Sequence, residues 1–259
     1  MVQQLLNIDL RREIVKIIFQ AREGHIPSSF SIVDIIHYLY DKVLRIDSKN
    51  PKWEERDYFI LSKGHGAAAL YVVLHKFGFL SDYDMQMYSL KGGILGGHPD
   101  ATKVPGTEAS TGSLGHGFPT AAGIALGLKI QQKSNRVYAL LGDGECNEGT
   151  IWEAALVANK QNLCNLTAVI DFNGSAAQIL PVDPLVDKWR AFGWQTVEID
   201  GHNEKEIECA FSSPHEGKPK VIIAHTIKGK GVSFIEGHGK WHHKIPNQEE
   251  LDLIFKELK

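Results

Sequence analysis

Arg136-Val137-Tyr138-Ala139-Leu140-Leu141-Gly142-Asp143-Gly144-Glu145 is an apolar run that ends in a glycine-flanked acid. Leu166-Thr167-Ala168-Val169-Ile170-Asp171-Phe172-Asn173-Gly174 repeats the plan, with Asn173 30 residues after Asp143. Near-continuous apolar strands of this kind are buried on both faces of a parallel sheet. The helical spacing of Thr150–Lys160 lies between them, so the two runs and that helix make one βαβ unit of about 30 residues. Parallel neighbours bring both strand ends to the same edge, where open α/β sheets bind ligands.

Working outward, Trp194–Ile199 and Lys220–Thr226 read as two more strands separated by a helix over Glu204–Phe211. Asp183-Pro184 predicts an N-cap and first-turn proline for a helix to Phe192. On the N-terminal side, Leu10, Ile14, Ile17, Ile18 and Ala21 have helical spacing, with Gly24 as the expected stop. Ser31 followed by Asp34 predicts a capping box opening a helix to Val43. Tyr58–Leu61 is a short apolar run, followed by helices over about 67–77 and 119–132. Residues 89–120 form a Gly-, Pro- and Thr-rich stretch longer than loops usually are without a functional reason. A polar Gly/His loop, 228–243, precedes a last helix from about Gln248. With no repeat or linker, residues 1–259 are expected to form a single domain: an α/β fold with a parallel sheet sandwiched by helices.

Composition narrows the function classes. Apolar residues are 43% and charged residues 23% of 259, with net charge −3, which is a globular balance. No window approaches the roughly 18 apolar residues of a membrane span, and Met1–Arg12 lacks the apolar region of a signal peptide. No basic run offers a footprint for nucleic acid. Cys146, Cys164 and Cys209 have no metal or disulfide spacing, so a reducing, cytoplasmic setting is expected. Six of the 12 histidines follow a glycine (His25, His65, His98, His116, His202 and His238), which suggests loops that present imidazoles to a pocket.

A carboxylate, an amide oxygen and a nearby carbonyl at one sheet edge are hard oxygen ligands suited to Mg²⁺ or Ca²⁺, with diphosphate oxygens completing the shell. A nicotinamide dinucleotide site is disfavoured, because Asn147 stands at the third glycine of the G-x-G-x-x-G pattern. An acid between the first two glycines would also repel a pyrophosphate unless a cation lay between.

Gly142-Asp143-Gly144 with Asn173 resembles the thiamine diphosphate motif, and the surrounding landmarks resemble the transketolase family. Those landmarks are Gly24-His25 with Ser28-Ser29, Asn50-Pro51-Lys52-Trp53 with Arg56-Asp57, and Leu61-Ser62-Lys63-Gly64-His65-Gly66. Gly97-His98-Pro99, Ser110-Thr111-Gly112-Ser113-Leu114-Gly115, and Glu148-Gly149 with Trp152-Glu153-Ala154 follow. Gly201-His202-Asn203, Thr226–Ser233 and Trp241-His242 complete a series running from about residue 9 to 243.

The resemblance implies thiamine diphosphate with Mg²⁺ (or Ca²⁺) held by Asp143, Asn173 and the carbonyl of Ser175. It implies Gly144, Glu145, Asn173 and His65 around the diphosphate, and Gly112, Ser113 and Leu114 along the cofactor rings. His25, His98 and His242, with His65 nearby, are expected to bind sugar hydroxyls and move protons. The implied reaction moves a two-carbon ketol unit from a ketose (phosphate) to an aldose acceptor, with the cofactor as electron sink. The family's activating glutamate lies in a second domain, absent from this sequence. The expectation is therefore the N-terminal subunit of a split enzyme, paired in a heterotetramer with a C-terminal subunit carrying the pyrimidine-binding domain. Alternatives are transfer to a modified sugar or carrier-bound acyl group, and a non-catalytic assembly subunit. Glu148 and Asp171 are expected to be polar links toward the partner.

Three departures from the family pattern stand out. Gly-His-Ile-Pro-Ser-Ser replaces Gly-His-Pro-Gly-Ser-Ser around His25, the segment after Asn173 is short, and His243 replaces a glycine after Trp241-His242. His37, His75, His215 and His225 are expected to pack or face solvent.

Overall fold

The computed structural model describes residues 6–259; residues 1–5, the start of the stretch read for a leader, lie outside the described residues. Five parallel strands form one sheet: β1 (Tyr58–Leu61), β2 (Val137–Gly142), β3 (Leu166–Phe172), β4 (Gln195–Asp200) and β5 (Lys220–His225), in the order β1-β2-β3-β5-β4. The helices in chain order are α1 (Ile8–Ala21), α2 (Ile26–Phe30), α3 (Val33–Tyr38), α4 (Ala67–Lys76) and α5 (Asp82–Gln86). They continue with α6 (Gly117–Ile130), α7 (Gly149–Lys160), α8 (Leu185–Ala191), α9 (Glu204–Ser212) and α10 (Gln248–Glu257).

Strand β2 is apolar at every position, and β1, β3 and β5 are largely so, because each face of the sheet has its own core. Tyr138, Leu140, Val169 and Ile222 pack with α1, α3 and α4 on one side. Val137, Ala139, Leu141, Ala168, Ile170 and Val221 pack with α6, α7 and α8 on the other. The alternation along β2 is the period-two geometry of a strand, here with both faces dry. No helix among the described residues is long and apolar enough to cross a membrane.

Three expected caps are corrected. Helix α1 ends at Arg22, itself left-handed at φ 56°, and Gly24 lies beyond it at φ 133°. A side chain at Gly24 would come within 2.7 Å of Ile18 Cγ1, so close packing and backbone geometry both require glycine. Ser31 and Asp34 form no capping box. Helix α3 starts after Ile32 with no side-chain cap, and the chain continues through a π-turn to Val43. Asp183 does not cap α8, whose N-cap position is Pro184.

Asp34 has been recruited elsewhere. Its carboxylate takes two 2.8 Å hydrogen bonds from the Arg11 guanidinium, and His202 Nδ1 lies 2.8 Å from Oδ2. The Ile227 amide donates to His202 Nε2 at 3.0 Å, so the His202 ring proton is on Nδ1 and donates to Asp34. Burial pushes the Asp34 carboxyl upward, and the hydrogen bonds from Arg11 and His202 outweigh it, holding the group at about 2. Arg11 Nε also donates to the Lys230 carbonyl at 3.0 Å. This buried cluster therefore anchors the root of the loop that leaves β5.

Candidate active site

The C-terminal ends of β2 and β3 border a cavity of about 390 Å³ whose walls include Asp143, Asn173, Ser175, His65, Lys228 and His242. A wider cavity of about 600 Å³ lies among loops around Lys49, Lys52 and Lys103. Those lysines are exposed, and none of the sequence-predicted site residues lines it. The sequence-predicted residues gather instead at the sheet edge.

Asp143 is only 1% exposed. Its Oδ1 accepts from the Gly144 amide at 2.7 Å and Oδ2 from the Ala176 amide at 3.1 Å. Burial, and then the nearby Asp171 charge against these backbone bonds, leave its pKa above the usual carboxylate value. Asn173 Nδ2 donates to Asp171 Oδ2 at 2.8 Å, while Oδ1 accepts from the Ser175 amide at 3.0 Å. The amide is thereby oriented, with its oxygen on the Ser175 side. A buried carboxylate that forms no ion pair among the described residues, an oriented amide oxygen and the Ser175 carbonyl form a donor set that fits a hard divalent cation. Among the described residues no group of three His, Cys, Asp or Glu side chains forms a metal site by itself. A cation here needs further oxygens, which a diphosphate supplies.

Glu145 turns away from such a role. Its Oε1 accepts from the Gly115 amide at 3.0 Å and from Ser62 Oγ, and Oε2 accepts from the Gly142 amide at 3.2 Å. It ties the end of β2 to the 112–117 loop, and burial raises its pKa. Gly64 explains that loop's approach: a side chain there would lie 2.8 Å from Gly112 Cα. Leu114 reaches the cavity wall, while Gly112 packs against the His98 ring.

Asp171 is fully buried and does not face a partner surface, contrary to expectation. It accepts from Ser31 Oγ at 2.8 Å and from Asn173, is paired with Lys63, and takes the Thr226 hydroxyl. Glu148 is exposed.

Four predicted histidines converge. The His25 ring lies 4.8 Å from His65, 6.4 Å from His98 and 5.5 Å from His242, centroid to centroid. His65 lies 5.5 Å from His98. The His98 loop is braced by Tyr71, whose hydroxyl donates to the His98 carbonyl at 2.8 Å. A fifth ring, His243, stands 4.5 Å from His25, with Nε2 3.2 Å from Glu23 Oε1. Sequence reasoning marked His243 only as a departure, and it gave Lys63 and Lys228 no role although both stood within quoted motifs. The other Gly-His pairs diverge: His116 contacts the Leu114 carbonyl, His202 joins the Asp34 cluster, and His238 meets the Asn173 carbonyl. His37, His75, His215 and His225 lie beside Phe77, Asp82, Thr167 and Glu198, respectively.

Burial, reinforced by the neighbouring imidazoles, lowers His25 to about 3, and the same causes with Lys63 lower His65 to about 4. Both rings are neutral at pH 7 and can each donate or accept a proton. In an NMR titration, with resonances assigned by His25→Ala and His65→Ala, neither ring is expected to protonate between pH 8 and pH 5. A midpoint near 6.5 for either ring would contradict the burial and clustering of these imidazoles.

Comparison with known proteins places these observations in a family. The family described as transketolase, thiamine diphosphate binding domain, matches residues 3–258. A subunit of an apulose-4-phosphate transketolase from Phocaeicola vulgatus is 39% identical over 255 residues, covering 96% of this chain and 90% of the relative. A 6-deoxy-6-sulfo-D-fructose transketolase subunit from a Clostridium species is 41% identical over 242 residues, covering 91% of this chain and 88% of the relative. Among solved structures, transketolase from Campylobacter jejuni superposes with a TM-score of 0.88 at 30% identity, over 96% of this chain and 41% of that one. The chain spans about two fifths of that solved transketolase.

Proposed function

The chain belongs to the transketolase thiamine diphosphate-binding-domain family, and on that premise we propose that it is the N-terminal subunit of a two-component transketolase. It transfers a two-carbon ketol unit from a ketose to an aldose acceptor. The observation that carries this reading is the meeting of His25, His65, His98 and His242 beside the cavity of Asp143 and Asn173. A diphosphate end and a polyol end are both provided for. We read residues 1–259 as one domain acting in the cytoplasm on small sugars, with no nucleic acid or membrane involved. It works in a heterotetramer with a C-terminal subunit that carries the pyrimidine-binding domain.

Asp143, Asn173 and the Ser175 carbonyl hold Mg²⁺ or Ca²⁺, and Gly144 and His65 hold the diphosphate. Gly112, Ser113 and Leu114 line the ring side. Thiamine diphosphate, when bound, supplies the nucleophilic carbon and the electron sink for the two-carbon unit. The chain's own contribution is to position the sugar and move its protons. Neutral His25 and His65 suit hydroxyl groups that lose a proton in one half-reaction and regain it in the next. His98 and His242 bind neighbouring hydroxyls from two other loops. A modified sugar as acceptor is the alternative in keeping with relatives named for apulose-4-phosphate and 6-deoxy-6-sulfo-D-fructose.

His98→Ala tests the sugar end separately from the cofactor end. Its loop is braced through backbone, so the fold is expected to survive. In the assembled enzyme, kcat/KM for the ketose is expected to fall about 10²–10⁴-fold, the usual worth of a proton-transfer or positioning group. Thiamine diphosphate affinity is expected to stay the same. A variant with wild-type kcat/KM would remove His98 from the site.

A further inference from the structure

Away from the sheet edge, the cavity of about 600 Å³ is walled by two loops, one over Lys49–Lys52 with Arg56 and the other over Ala101–Glu108. It shares no lining residue with the cavity of Asp143 and His65. Each wall is held by its own backbone bonds. In the first, the Asn50 amide donates to the Asp47 carbonyl at 3.1 Å and the Trp53 amide to the Asn50 carbonyl at 2.9 Å. In the second, the Val104 amide donates to the Asp100 carbonyl at 2.9 Å and the Thr107 amide to the Val104 carbonyl at 3.2 Å. Arg56 clamps one wall to the other, donating from Nε and Nη2 to the two Glu108 carboxylate oxygens at 2.7 and 2.8 Å. A concave space of this size with ready-made walls is the form that small-molecule sites take, and little further ordering is needed to fill it.

The charge around this space is one-sided. Lys49, Lys52, Lys103 and Arg56 line it, against Glu108 as the lining carboxylate, which Arg56 neutralises. Among the described residues, the side chains of Lys49 and Lys52 have no hydrogen bond or ion pair. Lys103 meets Asp100 at 3.0 Å, a solvent-screened contact of small worth. Thr107 adds an unspent donor: it is 9% exposed, and its hydroxyl has no hydrogen-bond partner among the described residues. The lining also includes Pro51, Val104 and Pro105, which suit an organic moiety. Ammonium groups gathered around one space repel each other and attract an anion. Lysines bind phosphate in this way, as point charges.

We propose that this cavity is a second anion site, which takes a phosphorylated small molecule apart from the cofactor and the reacting sugar. The loop of its second wall runs at one end into His98-Pro99 and at the other into Gly112. The Thr111 amide donates to the Pro99 carbonyl at 3.2 Å and closes that loop at its base. The occupant therefore sits against the loop that leads to the sugar-facing and ring-side residues, without entering their cavity.

The test is calorimetry on the full chain with inorganic pyrophosphate in the presence of chelator. Without a cation Asp143 repels a diphosphate, so binding under these conditions reports the lysine-lined cavity. Wild type is expected to bind, and to bind more weakly as salt is raised. Lys49→Ala/Lys52→Ala is expected to weaken binding about 10-fold or more. Both lysines are exposed on a turn held by backbone bonds, so the double variant is expected to fold. Backbone NMR locates the ligand: the Thr102 and Thr107 amide resonances are expected to move on titration and that of Gly144 to stay. Adenosine monophosphate and a hexose bisphosphate, titrated alike, distinguish a nucleotide from a sugar phosphate as the source of the phosphate, and the tighter of the two is expected to lose affinity in the double variant. Affinity that the lysine substitutions leave unchanged, shifts confined to Gly144, or no binding at about 10 mM pyrophosphate would overturn the proposal.

Discussion

Asp143→Ala is expected to abolish ketol transfer and to weaken thiamine diphosphate binding by at least about 100-fold in the presence of Mg²⁺, roughly 2.7 kcal/mol. Asp143 stands at the end of β2, 1% exposed, where burial already makes its charge costly. A diphosphate placed against that carboxylate is repelled unless a divalent cation lies between them, and the cation reverses the sign of the interaction. Of the proposed cation ligands, Asp143 is the charged one, since Asn173 and the Ser175 carbonyl are neutral. Removing it leaves the diphosphate's charge to Lys63 and Lys228, and Lys63 is already committed to Asp171. Asp143→Asn provides the folding control, because an amide oxygen can still accept from a loop amide. Calorimetry on the assembled enzyme, with Mg²⁺ and then with chelator, reads the effect directly. Wild-type affinity unchanged by chelator would rule out the cation assignment.

The sheet was legible because its central strands, β2 above all, are buried on both faces. Continuous apolar runs such as Val137–Leu141 have no other stable home in a chain of this length, and the Asp-Gly and Asn-Gly ends marked the edge that carries the site. Histidines preceded by glycine were a weaker signal, since His25, His65 and His98 converge while His116, His202 and His238 do not. Local sequence cannot say which loops meet. The capping signal at Ser31 and Asp34 failed for a related reason. Caps are local interactions worth about 1 kcal/mol, and long-range partners took both side chains: Asp171 claimed Ser31, and Arg11 and His202 claimed Asp34. Asp171 was misplaced because a carboxylate near a strand end looks like a surface group until Lys63 is found beside it. The short helix Asp82–Gln86, with its Ser81–Asp84 capping box, was hidden within too few residues to show a period.

The second large effect concerns the partner. Among the described residues, the carboxylates bordering the cavity are Asp143 and Glu145. Asp143 is the proposed cation ligand, and Glu145 is spent on Ser62 and the Gly115 and Gly142 amides. In the proposed reading neither activates the aminopyrimidine ring, a task the family resemblance assigns to a glutamate from another domain. Ile179, 91% exposed, lines the cavity, and Leu180 next to it in the chain is 58% exposed; a second protein surface would cover both. Buried apolar side chains of this size contribute about 1.5–3 kcal/mol each, so the rim favours assembly. The isolated chain is therefore expected to have no ketol-transfer activity, and the pair of subunits is expected to have all of it.

The most direct measurement is to purify the chain alone and with the proposed C-terminal partner, supply thiamine diphosphate and Mg²⁺, and record mass and ketol-transfer rate for each. Activity that arises only on mixing, in an assembly with the mass of two copies of each subunit, is the result expected. Full activity from the isolated 259-residue chain would contradict it.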